Sequence, residues 1–405
     1  MGGENITSSF VSLRHRNFRL YWIGMCISLT GTWMQKMALP WLVYRLTGSS
    51  LLLSVTGILQ FTPMLVLSLF VGVLIDRLPK RNVLIVTQSL SLVITTLLAL
   101  LVWADAVRYW HILCSAAALG ITNAVDIPSR QAIIVDLTGK KDLKNAVALN
   151  FIAFNLARVA GPVIAGIVMA RFGAAFCFFF NAASFAGVVI SLCFIRITSV
   201  TMPETKNIVV TNLIKEGLCY IYGNRTILST MFILAVMYTF APNFGVLVPV
   251  FAKDVLGQNE TGFGLLMSFM GGGAFLGAVS MAALSQYGVE WFFIRITPLI
   301  VGGLLVAVGC TSTFLPTALL LFSVSFGFVV FTSSANSALQ LHSGDEYRSR
   351  VMSVYTIISS GSAPAGNLYA GLFTYCFNAR IGFIACGTII LVLIVPVCVR
   401  GRSPC

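Results

Sequence analysis

Gly72-Val73-Leu74-Ile75-Asp76-Arg77-Leu78-Pro79-Lys80-Arg81 is a short charged break between two oily runs, roughly 51–75 and 82–103. Each run is long enough for a spanning helix, which needs about 20 mostly apolar residues. The same alternation repeats along the whole chain. Apolar runs at roughly 18–45, 51–75, 82–103, 109–136, 145–170, 174–196, 227–251, 262–285, 291–313, 317–340, 350–375 and 380–399 predict twelve spans with short polar breaks. Uninterrupted runs of this length form helices, whereas membrane barrels show alternating segments of about ten residues.

Composition agrees. Of 405 residues, 58% are hydrophobic and only 10% charged, and the mean hydropathy is +0.92. A soluble domain has about 45–50% apolar and about 25% charged residues. The polar stretch Met1 to Asn17 and the long run after it do not resemble a cleavable signal peptide. The ten cysteines are scattered through apolar runs without a CxxC pair, so no zinc ribbon or redox motif is indicated.

The net charge of +13 would suggest nucleic acid in a soluble protein. Here it reads as topology. With a cytoplasmic N-terminus, 18 of the 26 Lys and Arg residues fall on inner segments, five on outer loops and three within spans. That bias is the positive-inside signal of a multi-pass protein with both termini cytoplasmic. No nucleic-acid partner, cofactor or metal is expected.

The longest inner connection, near the midpoint, divides the chain into a six-helix bundle over 1–196, a linker over 197–225 and a second bundle over 226–405. Apolar residues at Ile208, Leu213, Ile214 and Leu218 predict a short amphipathic helix in the linker. The halves echo each other: Leu39-Pro40 matches Val248-Pro249, and Gly161-Pro162 matches Ala363-Pro364. Weak internal symmetry of this kind suits a transporter with a midplane site.

The break Gly72 to Arg81 closely resembles the loop signature between the second and third spans of the major facilitator superfamily (MFS). Gly72 permits close helix approach, and Asp76, Arg77, Lys80 and Arg81 can form a charged latch. The resemblance implies that this latch ties the loop to neighbouring helices in one state of the transport cycle. Asn155 to Gly166, with Gly161, Pro162 and Gly166, is similar to the Gly-Pro motif of MFS exporters, with Ala165-Gly166 where Gly-Gly is common. Asn123 to Gln131, Phe18 to Trp22, Gly31 to Gln35, Trp41 to Ser49 and Arg348 to Ser353 resemble the macrolide-efflux and enterobactin-exporter branch. The implied fold is all-α, with twelve transmembrane helices in two pseudo-symmetric bundles. The implied activity is export of siderophores, macrolides or other hydrophobic drugs across the inner membrane of a bacterium.

Four charges lie inside the predicted spans: Lys36, Asp126, Arg130 and Arg158. Such residues are costly, at about 2.5–3.5 kcal/mol each on insertion scales, and point to function. Asp126 is the acid far from any predicted helix end. Paired with Arg158 or Arg130, it is either a proton-coupling carboxylate or a permanent structural ion pair. The spacing of Asp126 and Arg130 puts them on one helix face, although Pro128 lies between. Lys36, beside Trp33 and Gln35, either meets an anionic substrate or lifts its ammonium to the outer interface. Asn155, Tyr238, Asn243, Asn336 and Asn367 complete the candidate cavity groups.

The expected activity is therefore proton-coupled antiport of an amphipathic small molecule by a monomer, with facilitated or lipid-like movement without proton coupling as the alternative. An enzyme is not expected. His15, His111 and His342 are far apart, no HExxH or GxSxG arrangement occurs, and no Walker segment supports an ATP-driven pump.

Overall fold

In the computed structural model, residues 11–195, 220–284, 291–344 and 347–400 are described, and the side chains of 68–77, 140, 291, 349, 399 and 400 lie outside that description. Among the described residues every regular element is helical. A short 3-10 turn, Val11–Arg14, precedes α1 (Arg16–Thr47), α2 (Ser50–Arg77), α3 (Lys80–Trp103), α4 (Tyr109–Phe172) and α5 (Ala174–Phe194). There follow α6 (Arg225–Phe240), α7 (Phe244–Asp254), α8 (Glu260–Leu284), α9 (Trp291–Cys310), α10 (Phe314–His342), α11 (Arg348–Cys376) and α12 (Ala379–Arg400).

Ten stretches are long and apolar enough to cross a membrane. The long helices α1 and α11, diluted by Ser, Thr, Gly and Gln, bring the spans to twelve. Two expected boundaries shift. The polar break from Gly139 to Lys144 contracts to a single non-helical residue, Gly139 (φ 70, ψ 173), so the fourth and fifth spans are two limbs of α4. The seventh span, expected as one run, is broken after Phe240 into α6 and α7. Asn243 sits at this break, and its Nδ2 donates to the carbonyls of Thr239 (2.9 Å) and Phe240 (3.3 Å), which the end of α6 leaves free. The expected linker helix falls mostly on 197–219, outside the described residues; the described chain resumes at Tyr220.

Cα proximity groups the chain into two units, 1–46 with 59–204, and 47–58 with 205–405. In the first, Phe18, Tyr21, Met25, Leu84, Ile133, Ile134, Leu137, Leu149, Val188 and Leu192 form a buried core drawn from α1, α3, both limbs of α4 and α5. α3 shows what kind of solvent surrounds it. It buries Thr87, Gln88, Ser91 and Thr95 and leaves Val86, Leu90, Val93, Leu97 and Leu100 about half exposed, spaced four, three, four and three residues apart. That spacing is one continuous helix face. A helix with polar residues inside and oil outside is stable only where the surroundings are lipid.

In the second unit α8 packs on α10 through small residues. A Cβ on Gly277 would lie 2.8 Å from the Phe326 carbonyl oxygen, and Gly273 meets the Phe322 backbone in the same way. Gly273 and Gly277, one turn apart, let the two helix backbones close on each other. Residues 47–58 lie on α11, where Ser50 Oγ donates to the Gly371 carbonyl at 3.2 Å.

Candidate functional site

The charged residues within the spans form two clusters, both in the first unit. The first is centred on Asp126, 3% exposed, in the first limb of α4. Its Oδ1 accepts from Thr87 Oγ1 at 2.8 Å and from Gln88 Nε2 at 2.6 Å, both on α3. Its Oδ2 accepts from Arg130 Nε in an i,i+4 ion pair. Pro128 lies inside the helix without preventing the pair. The Arg130 guanidinium also reaches Met25 Sδ on α1. The carboxylate thus has donors on both oxygens, as a buried charge requires. Gln88 Oε1 is buried and has no donor among the described residues.

The second cluster surrounds the Trp33 indole. Lys36 Nζ lies 4.7 Å from the ring centroid and Arg158 Cζ 5.8 Å from it. Phe154 meets the same ring edge-on, at 5.7 Å between centroids. Trp33 and Lys36 share a face of α1, and Phe154 and Arg158 share a face of the second limb of α4, by their i,i+3 and i,i+4 spacings. Gly161 makes the approach of these helices possible. It is buried, and a Cβ there would stand 2.6 Å from Trp33 Cβ and 3.4 Å from the Thr30 carbonyl oxygen. With Pro162 beside it and Gly166 also buried, the Gly-Pro motif of the fifth span seats the backbone of α1. Asp126 takes Arg130 and not Arg158 as its ion-pair partner, so the two arginines belong to different clusters.

The other polar candidates are dispersed. Gln35 is buried and accepts from Asn181 Nδ2 of α5 at 2.5 Å, fixing one helix to another. Asn155 Nδ2 donates to its own helix at the Phe151 carbonyl, 2.8 Å away. In the second unit Tyr238 and Tyr355 share a hydroxyl contact of 3.2 Å, and Phe328 lies edge-on to Tyr238 at 5.5 Å. Asn336 accepts from Gln340 one turn on, at 2.5 Å. Asn367 lies on α11 against Gly57, whose added Cβ would be 2.7 Å from its Nδ2. Asn243 serves the break between α6 and α7.

Of the loop signature, the side chains of Gly72, Asp76 and Arg77 lie outside the described residues. Lys80 Nζ pairs with Asp136 Oδ2 at 3.1 Å. Arg81 donates to the carbonyls of Leu192 (2.7 Å) and Cys193 (3.1 Å) at the C-terminal end of α5, where a cation also meets the negative end of the helix dipole. Lys80 and Arg81 therefore hold neighbouring helices.

Sequence reasoning missed Thr87 and Gln88 as partners of Asp126. The signal was present: Thr87, Gln88, Ser91 and Thr95 recur at helical spacing inside an otherwise apolar span. Phe154, Met25 and Asn181 carried no comparable mark, because aromatic, Met and Asn residues are scattered through several spans.

Comparison with known proteins agrees with the geometry. A family model described as transmembrane secretion effector matches residues 7–403. The chain is 26% identical over 374 residues, 90% of either chain, to the multidrug efflux pump Tap of Mycolicibacterium fortuitum. It is 24% identical over 261 residues to the staphyloferrin A transporter of Staphylococcus aureus, spanning 64% of that relative's length. It is 21% identical to macrolide efflux protein A of Streptococcus pyogenes, over 92% of this chain and 93% of that one. Among solved structures, a bacterial homologue of the human lysosomal transporter Spinster superposes with a TM-score of 0.74 at 12% identity, covering 94% of this chain and 96% of that one.

Proposed function

We propose that this chain, which belongs to the transmembrane secretion effector family of the major facilitator superfamily, exports an amphipathic small molecule in exchange for protons. Membership makes it a multi-pass membrane transporter. The relatives supply the direction of the reading, since they are named as efflux pumps for drugs and macrolides and as a staphyloferrin A transporter. The proposed setting is the inner membrane of a bacterium, with both termini cytoplasmic. There a monomer alternates access between bundles 1–196 and 226–405, joined by the linker 197–225.

The observation that carries proton exchange is the surroundings of Asp126. A buried carboxylate held by two neutral donors and one guanidinium has two defined states. Ionised, it accepts from all three. Protonated, it has a hydroxyl to give, and the Gln88 Oε1 without a donor takes it once the amide turns over. Protonation also leaves Arg130, on the same limb of α4, facing a neutral group, which frees its guanidinium to change partners. Both states tie α3 to the first limb of α4, and they differ in whether Arg130 shares in the tie, the kind of difference a coupling site requires.

The test is reconstitution in proteoliposomes with an imposed pH gradient and a fluorescent drug substrate. Uphill flux that follows the gradient in wild type and loses that dependence in Asp126→Asn supports antiport. Wild-type flux indifferent to the gradient identifies facilitated movement, and full gradient-driven export by Asp126→Asn makes Asp126 structural.

A further inference from the structure

Lys36 and Arg158 are two cations on one aromatic ring, and among the described residues neither lies in an ion pair with an acid. Arg130, by contrast, has Asp126. A charge in the membrane interior is costly. A cation–π contact returns only part of that cost, and Trp33 does nothing about the repulsion between the two cations. The arrangement lacks one thing only, a negative charge.

Both cations stand about three turns or more inside their helices, which favours a bound ligand over a lipid headgroup as the source of that charge. Lys36 is eleven residues from the C-terminal end of α1 at Thr47, about 16 Å at 1.5 Å per residue. Arg158 is fourteen residues from Phe172 at the end of α4. Nor does Lys36 reach back toward the α1 end: its ammonium lies over the ring of Trp33, one turn deeper. The Lys36 side chain is exposed and Trp33 and Arg158 are half-buried, so the groups are open to a ligand.

Resting on the transporter reading, we propose that Lys36, Arg158 and Trp33 form the anion-recognition subsite of the cargo, which is an amphipathic organic molecule bearing a carboxylate. The guanidinium offers a planar pair of donors that match a carboxylate, the ammonium supplies a second charge, and the exposed ring of Phe154 takes the apolar body next to it. Gly161 is the positioning residue that keeps α1 and the second limb of α4 close enough for one ligand to touch both.

The test uses the purified full chain in detergent and a panel of dansyl amino acids, each paired with its neutral methyl ester, with binding read by fluorescence anisotropy. Wild type is expected to prefer the carboxylate at least tenfold. Lys36→Gln and Arg158→Gln each reduce the preference about fivefold, and the double variant abolishes it while still binding the esters. Lys36→Arg and Arg158→Lys retain it. The ratio of acid to ester reports charge recognition and is not moved by a general loss of packing. Wild type without a carboxylate preference anywhere in the panel, or a preference intact in either neutralised single variant, overturns the proposal. No gradient enters this measurement, so the subsite and the antiport reading fail separately: gradient-independent flux with a carboxylate preference removes antiport alone, and gradient-driven flux without the preference removes the subsite alone.

Discussion

Replacing Asp126 by Asn leaves the Arg130 guanidinium, whose side chain is 16% exposed, without the carboxylate that neutralises it. Breaking a buried pair by removing one partner costs about 3–5 kcal/mol, chiefly the cost of an uncompensated buried charge. Asn keeps the shape and one acceptor for Thr87, so the loss falls at the low end, about 3 kcal/mol. Removing Arg130 as well takes the stranded charge away. Asp126→Asn with Arg130→Gln is therefore expected to be more stable than Asp126→Asn alone, and the double-mutant cycle should give a coupling of about 2–3 kcal/mol. The assay is reversible unfolding in mixed micelles titrated with dodecyl sulfate, at one pH and ionic strength, for wild type, both single variants and the double. Membrane hydrogen bonds between neutral groups average about 0.6 kcal/mol in such cycles, so a charged pair stands clear of that background. Additive losses, with a coupling below about 0.6 kcal/mol, would refute the view that Arg130 is held by Asp126.

Two further outcomes follow from contacts of the first unit. Gly161→Ala puts a methyl into the Trp33 Cβ, 2.6 Å away, and overpacking of this kind costs about 1–3 kcal/mol; the same unfolding titration reads it, and a silent substitution would mean that Gly161 does not seat α1. Asn181→Leu removes the 2.5 Å bond to Gln35 and leaves the Gln35 amide oxygen buried and unpaired, with an expected loss of up to about 1.7 kcal/mol, restored in part by Gln35→Leu in the same chain.

What the sequence made legible follows from how it is solvated. Lipid demands long apolar helices and taxes every charge, so the spans and the four charges within them stand out against a uniform background. The loop signature and the Gly-Pro motif are legible for a related reason, because charges and prolines are rare enough in such a chain to be meaningful. Partners are less visible. Asp126 and Arg130 are four residues apart and could be paired from spacing alone, but Thr87 and Gln88 reach Asp126 from another helix. Gln35 looked like a cavity residue beside Lys36, yet one residue along a helix turns a side chain by about a hundred degrees, and it points to α5. The break at Asn243 was marked by Pro242, which has no N–H to carry on the helix ladder; it was passed over because proline also occurs inside unbroken spans, as Pro40 does in α1, and the Asn that satisfies the freed carbonyls reads equally well as a ligand group.

Gly139 gives the first unit a mechanical property. The limb that carries Asp126 and the limb that carries Arg158 are separated by one non-helical residue, and a residue has only two soft dihedrals. Thirteen residues of helix lead from Asp126 to that joint and nineteen lead from it to Arg158. Such a linkage works as a crank with a single pin. The angle between the arm that bears the carboxylate and the arm that bears the guanidinium is therefore set at the two dihedrals of one residue. The positive φ of 70° at Gly139, strained for any residue with a side chain, is what lets the pin be so short.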